Sequence, residues 1–331
     1  MGPAAIVVGA LLVLLVFTDA FMTTLTVSWG RGPLSSRLLA LLWRVLLGLH
    51  RRRGSALLGV AGPLLLVTTV LIWVLLLWVG WSLVFAGSGA VVEVRSGRSA
   101  GVLDSAYYAG YTVFTLGTGD VVVTSTTDRL VSVLASFTGL FLVTLAITYL
   151  VAVVSAVVRR RSLAIRIHGL GQDAGAIVVR GWRDGAFSAF FQQQLLGLTD
   201  DVVNGAEQHL AYPVLHYFHA RDRALAASQA IVDLDEALLL LTTMVQPAAR
   251  PDSNVTRPLR HGIGRYLTTV HGVGWAPPAG PPPPPDLEPL REHGIPLVPD
   301  AEVDRVLERE EPRRTELNRL VLSDGWTWTD R

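Results

Sequence analysis

Apolar residues fall in three long runs separated by short polar breaks. About Ala4 to Val27, about Ala56 to Phe85 and about Leu130 to Val158 each reach the roughly 20 consecutive apolar residues that cross a bilayer. The first run lacks a basic start and is too long for a secretory signal, so it reads as a retained helix. Between the second and third runs, Val102 to Phe114 is a shorter apolar and aromatic segment that predicts a helix stopping partway into the membrane. Between the first two, Leu34, Leu38, Leu41, Leu42, Val45, Leu46 and Leu49 fall on one helical face, with Arg37, Arg44 and Arg51 elsewhere. That pattern predicts a basic amphipathic helix that lies in the membrane interface or packs against the spans.

Beyond Arg161 no apolar run is long enough to cross again, and the pattern becomes that of amphipathic helices. The strongest is Asp222 to Val245, where Leu225, Ile231, Leu234, Leu238, Leu241 and Val245 recur at helical spacing. Phe187 to Leu196 and Asn254 to Val270 also read as helical, and Asp200 can cap a helix over Asp201 to Ala211 that Pro213 interrupts. Pro277 to Pro285 reads as a polyproline-like spacer. Pro299 to Leu322 follows as a charged helix, docked or partly free, with Val303, Val306, Leu307, Leu317, Leu320 and Val321 as its apolar positions.

These patterns predict an all-α integral membrane protein with three transmembrane helices and a re-entrant pore helix and filter loop, followed by a mostly helical cytoplasmic domain. The expected segments are 1–28, an N-terminal span; 29–55, a basic linker; and 56–161, a pore module. Within that module come an outer helix at 56–86, a pore helix at 102–114, the loop 115–120 and an inner helix at 129–158. A helical domain at 162–275, a proline-rich linker at 276–298 and a C-terminal helix and tail at 299–331 complete the chain. Arg51-Arg52-Arg53 precedes the second span and Arg159-Arg160-Arg161 follows the third, so the positive-inside rule puts both on the cytoplasmic side. The N-terminus is then external, in a multi-pass plasma-membrane protein.

Half of the residues are hydrophobic, the mean hydropathy is +0.43 and the formal net charge is +1, which leaves no basic excess for nucleic acid. Every fixed cation is an arginine, a feature of a GC-rich genome more readily than of function. The absence of cysteine excludes disulfides, thiolate metal sites and cysteine nucleophiles. No Gly-x-x-x-x-Gly-Lys loop, Gly-x-Ser-x-Gly elbow or His-Glu-x-x-His pair is present, so an enzyme reading finds no support.

The chemistry concentrates in Thr115-Leu116-Gly117-Thr118-Gly119-Asp120, placed after the short helix and between two spans. An ion leaving water needs its hydration shell replaced by backbone carbonyl oxygens, and Gly117 and Gly119 can take the positive φ that turns successive carbonyls to one axis. The segment from Asp104 through Tyr107, Tyr108, Tyr111, Thr112 and Phe114 to Asp120 resembles, without a gap, the pore loop of the potassium channel superfamily. That family's usual filter reads Thr-Val-Gly-Tyr-Gly-Asp. Thr115, Gly117, Gly119 and Asp120 match it, Leu116 replaces a valine, and Thr118 stands where the family has tyrosine.

The resemblance implies a homotetrameric channel in a lipid bilayer, with monovalent cations as permeant species, potassium as the leading ion and no other cofactor or metal. It also implies that Tyr107 and Tyr108 hold the positions of the family's bracing tryptophans. Thr118 is too short for the family's tyrosine brace, so Tyr111 and Phe114, with Thr112, are expected to support the filter instead. A non-selective cation pore, or a non-conducting sensor or scaffold, are the alternatives.

Gly139 in the third run allows a bend or a close helix contact, and Thr144, Thr148 and Ser155 either wet a cavity or bond their own preceding turn. No span carries arginine at every third position, so a charged voltage-moved helix is not expected. Asp19 lies well inside the first run, functional or bonded to Thr23, with Thr24 next to it. Gly169 to Gly175 lacks the β-α-β context of a dinucleotide fingerprint, and His209, His216 and His219 read as a packed cluster more than a zinc site. Asn254-Val255-Thr256 fits a glycosylation acceptor that a cytoplasmic location would silence. The pattern names neither a gating stimulus nor a cytoplasmic ligand or partner.

Overall fold

The computed structural model describes residues 2–26, 32–53, 58–271 and 279–328. The expected parts of the linker at 29–31 and 54–55, the start of the second span, Pro277 and the last residues of the tail lie outside the described residues. So do the side chains of Arg51, Arg52 and Arg53. Two compact units divide the chain: Met1–Leu39 with Leu64–Ala152, and Ala40–Pro63 with Val153–Arg331.

Among the described residues, three helices are long and apolar enough to cross a membrane: α1 (Pro3–Thr24), α3 (Leu58–Ser88) and α5 (Thr126–His168). In the first unit, α1 meets α3 where both carry glycine. A Cβ at Gly9 would lie 2.5 Å from the Gly80 carbonyl, so the backbones approach as small residues permit in membranes. Trp81 of α3 donates to Thr138 of α5 at 2.9 Å, and Phe85 packs edge-on against Tyr108 at 4.9 Å between ring centres. A short antiparallel pair, β1 (Val91–Glu93) with β2 (Val121–Val123), flanks the pore-loop region in register Val91↔Val123 to Glu93↔Val121.

Asp19 is fully buried, and its partners differ from the expected bond to Thr23. Its carboxylate accepts the backbone N–H of Leu34 (2.7 Å) and Ser35 (3.1 Å), the Ser35 hydroxyl and the Trp73 indole N–H (2.8 Å). Thr23 instead accepts from the Gly32 N–H at 3.2 Å. Helix α2 (Pro33–Arg53) starts there, so Asp19 supplies from another helix the capping oxygens that an N-terminus lacks. The buried face of α2 runs through Ser35, Leu39, Trp43 and Leu47, while Leu41 and Val45 of the expected stripe are exposed. In the second unit Trp43 packs against the rings of His216 and Tyr217, so α2 is a packing helix built around a tryptophan that the leucine count hid.

Among its described residues the second unit is mostly helical and carries one hairpin, β3 (Trp182–Arg183) with β4 (Ala186–Phe187). Asp184 and Gly185 take positive φ between its strands, the conformation a two-residue hairpin turn requires. The helix of the third apolar run does not stop at Val158: α5 continues unbroken through the arginine triplet to His168. Asp173 caps α6 (Ala174–Gly181), so the glycine-rich stretch is a helix-to-helix turn in which Gly171 admits the backbone of Ile177. The two helices expected over 187–211 are one, α7 (Ala189–Ala211), capped by Ser188 rather than Asp200. The helix expected from Asp222 starts as α8 (Ala227–Leu239) and ends in a π turn over Leu240–Met244. Asp222 caps the short 3-10 turn before it.

All of α8 is buried, and α9 (Ser253–His271), α10 (Glu288–Glu292) and α11 (Asp300–Ser323) complete the unit around it. Its acidic residues are paired: Asp233 with Arg223 at 2.9 Å, Asp235 with Arg313 at 2.5 Å, and Glu236 with both nitrogens of the Arg314 fork at 2.8 and 3.0 Å. The proline stretch is no free spacer. Arg314 donates to the carbonyls of Pro282 and Pro283, Asn318 donates to that of Gly280, and Leu287, Leu290, Ile295 and Val298 are buried in the core. A proline run has acceptors but no N–H donors and forms no helix or sheet ladder of its own, so its carbonyls are available to a guanidinium.

Candidate ion-conduction site

Helix α4 (Val102–Val113) is the short helix of the pore loop, opened by a capping box in which Asp104 accepts from the Gly101 N–H at 2.9 Å. The backbone beyond it alternates: φ is +59° at Thr115, +64° at Gly117 and +77° at Gly119. Left-handed conformations at every second residue cancel the alternation of an extended chain, so successive carbonyls can face one side. Among the described residues the carbonyls from Thr115 to Gly119 accept no backbone hydrogen bond, and all six residues to Asp120 are exposed in the single chain. Thr115 is β-branched and holds this backbone without glycine's freedom, a strain that the surrounding contacts must carry.

Those contacts come mostly from tyrosines. The Tyr107 hydroxyl donates to Thr118 Oγ1 at 3.1 Å, Thr118 donates to Asp120 Oδ1 at 2.8 Å, and that same oxygen accepts the Val121 N–H at 3.1 Å. The brace missing from the threonine is therefore made from the opposite side: Thr118 is short, and a helix tyrosine reaches out to it. Tyr111 is buried and donates to the Val121 carbonyl, and Tyr108 shares a 2.6 Å hydrogen bond with Ser132 of α5. The three rings stack edge to face, Tyr107 on Tyr111 at 5.4 Å and Tyr108 on Tyr111 at 5.1 Å. Thr112 is half-buried, while Phe114 is 43% exposed in the single chain.

Gly139 marks contact rather than a bend. A Cβ there would collide with the Val113 carbonyl, and α5 runs through it without interruption. Thr144 and Thr148 bond back to the carbonyls of Leu140 (2.9 Å) and Thr144 (3.0 Å) and stay exposed, as does Ser155. Trp78 was missed in the sequence. Its indole donates to the Ala106 carbonyl at 2.8 Å and ties α3 to α4, and the cluster of tryptophans at 73, 78 and 81 in an apolar run was the available signal. Outside the pore, His209 and His216 are buried with rings 6.1 Å apart, whereas His219 turns to the Asp324 carbonyl. No group of three metal-ligating side chains occurs among the described residues.

A family model described as an ion channel matches residues 60–156, the stretch holding α3, α4, the loop and most of α5's apolar length. The chain is also similar to the uncharacterized membrane protein YdjJ of Bacillus subtilis (strain 168). The two are 33% identical over 301 residues, which covers 90% of this chain and 87% of that protein. No solved structure matches it. The chain belongs to the family of this membrane protein, and it is a multi-pass membrane protein whose residues 60–156 form an ion-channel module rather than an enzyme.

Proposed function

We propose that the protein is a homotetrameric potassium channel in which four copies of Thr115 to Asp120 surround one axis. The observation that carries this reading is the alternating positive φ at Thr115, Gly117 and Gly119, with carbonyls that accept no backbone hydrogen bond among the described residues. One chain supplies one such strand, and a closed ring of carbonyls needs several related by symmetry. Potassium as permeant ion satisfies the carbonyls in turn, so the polar groups that the fold leaves bare are the ones the function occupies. Arginine placement supports an external N-terminus and filter mouth and a cytoplasmic C-terminal domain. Because α5 carries on to His168 as one helix, movement of the C-terminal domain bears on gating.

The test is the reversal potential of purified protein in planar bilayers with potassium on one side and sodium on the other. A value close to the potassium equilibrium potential is expected. One observation favours a second reading, a non-selective cation pore: Thr118 is held by a hydroxyl contact from Tyr107, which is itself 45% exposed. Current reversing near zero supports that reading, and absence of current from a verified tetramer supports a non-conducting scaffold.

A further inference from the structure

Beyond the pore, a cavity of about 330 Å³ with several polar side chains in its wall opens against the stretch of α5 that follows Val158. Helix α5 contributes Arg159, Arg160 and Arg166 to its wall, and α7 contributes Asn204, Gln208 and His209. Its size falls in the range of about 300–1,000 Å³ typical of small-ligand sites. Charge in the wall is unbalanced: Asp201 is its acidic member and pairs with Arg166. The Arg160 fork is taken by the carbonyls of Leu215 and Phe218 and by Asp324. Arg159 is exposed and, among the described residues, makes no ion pair. His209 is 2% exposed, and its buried Nε2 has no hydrogen-bond partner, an arrangement that costs stability unless something else completes it.

We propose that this cavity binds a small phosphate-bearing anion. A guanidinium presents parallel N–H donors that match two phosphate oxygens, and the side-chain amides of Asn204 and Gln208 supply further donors for the third. A cation is disfavoured by three arginines against one carboxylate already engaged, and an apolar ligand by the amides and the unpaired imidazole. The site is independent of the filter reading, since it lies on residues that the carbonyl ring does not use. Arg159 follows directly on the apolar run ending at Val158, so a free phosphate compound and a lipid phosphate headgroup present the same chemistry here.

The experiment is calorimetric titration of the full chain with inorganic pyrophosphate, first in phosphatidylcholine nanodiscs. Saturable binding at one site per chain is expected, weakened at least about 10-fold by Arg159→Gln and by Asn204→Leu, and unchanged by Arg180→Gln on α6. Both cavity positions are exposed, so thermal unfolding of the variants should match the parent and exclude misfolding as the cause. Nanodiscs containing phosphatidylglycerol separate the sources. Unchanged pyrophosphate affinity assigns the site to a free anion, and an affinity reduced in the parent but not in Arg159→Gln assigns it to the lipid headgroup. No saturable binding in phosphatidylcholine discs, or binding that Arg159→Gln leaves intact or Arg180→Gln weakens equally, overturns the proposal.

Discussion

The pore loop and helix α8 treat their polar groups in opposite ways. From Thr115 to Gly119 the backbone carbonyls accept no backbone hydrogen bond among the described residues. In α8 the acidic side chains Asp233, Asp235 and Glu236 are all buried, each against its own arginine. A buried polar group without a partner costs about 1–3 kcal/mol, and an unpaired buried charge costs more. The helical domain meets that cost inside the chain, at fixed distances. The loop leaves its carbonyls bare and exposed in the single chain, so the cost arises only in the proposed tetramer, where the permeant cation would meet it. Interior pairing produces a rigid core, while bare carbonyls on a strained backbone produce a site.

The largest test of this contrast is Gly117→Ala. Gly117 sits at φ +64°, where a side chain costs about 1–2 kcal/mol per residue, repeated in every copy around the axis. Potassium flux into liposomes should fall about 100-fold or more while far-UV circular dichroism stays unchanged; retained flux would break the comparison. In α8 the counterpart is Arg314→Leu, which strands Glu236 at 1% exposure and should cost about 3–5 kcal/mol in chemical unfolding of the C-terminal domain. Combining it with Glu236→Leu should restore much of that loss, because no charge is then left alone. A double variant as unstable as the single one would mean that the pair is not the source.

A smaller effect is expected at Asp19, which unites two backbone N–H groups, a hydroxyl and an indole. Asp19→Ala should lower unfolding stability by about 1–3 kcal/mol, read from thermal melts in detergent. Burial, with the Arg160 guanidinium and His216 beside it, holds the His209 imidazole well below its ordinary value. The folded chain therefore resists a proton that the unfolded chain accepts, and stability should fall as pH drops below about 6.5, by on the order of 1 kcal/mol per unit. His209→Leu should flatten that part of the profile. Smallest is Tyr107→Phe, which deletes the hydroxyl on Thr118. A hydrogen bond of about 1 kcal/mol predicts about a five-fold change in the potassium-to-sodium permeability ratio, measured from reversal potentials.

How much could be read beforehand depended on the range of the interaction. The three long helices and the short pore helix were legible because membrane-crossing length and apolar content are local properties. The alternating backbone after α4 was legible because positive φ at alternate residues favours glycine, and Gly117 and Gly119 are there. The Tyr107 contact to Thr118 was not, since it spans eleven residues and depends on how α4 is aimed. Which face of α2 packs inside the chain was not legible from its leucines, because that contact is made by Trp43 and its partner rings at 216 and 217. Asp200 looked like a cap in a local window, yet the helix through it was already running from Ala189.

Hydropathy alone determined that this chain lives in a membrane, because the cost of placing polar backbone in hydrocarbon leaves only long apolar helices as solutions. Composition alone excluded thiol chemistry, and the glycine spacing alone marked where carbonyls could converge. Tertiary structure decided the rest: that Asp19 caps a helix fifteen residues away, that Gly139 is a contact with Val113 rather than a bend, and that the proline stretch is clamped by Arg314. Each of these rests on partners distant in sequence. A side chain's chemistry states what it needs, and only the folded chain states what it meets.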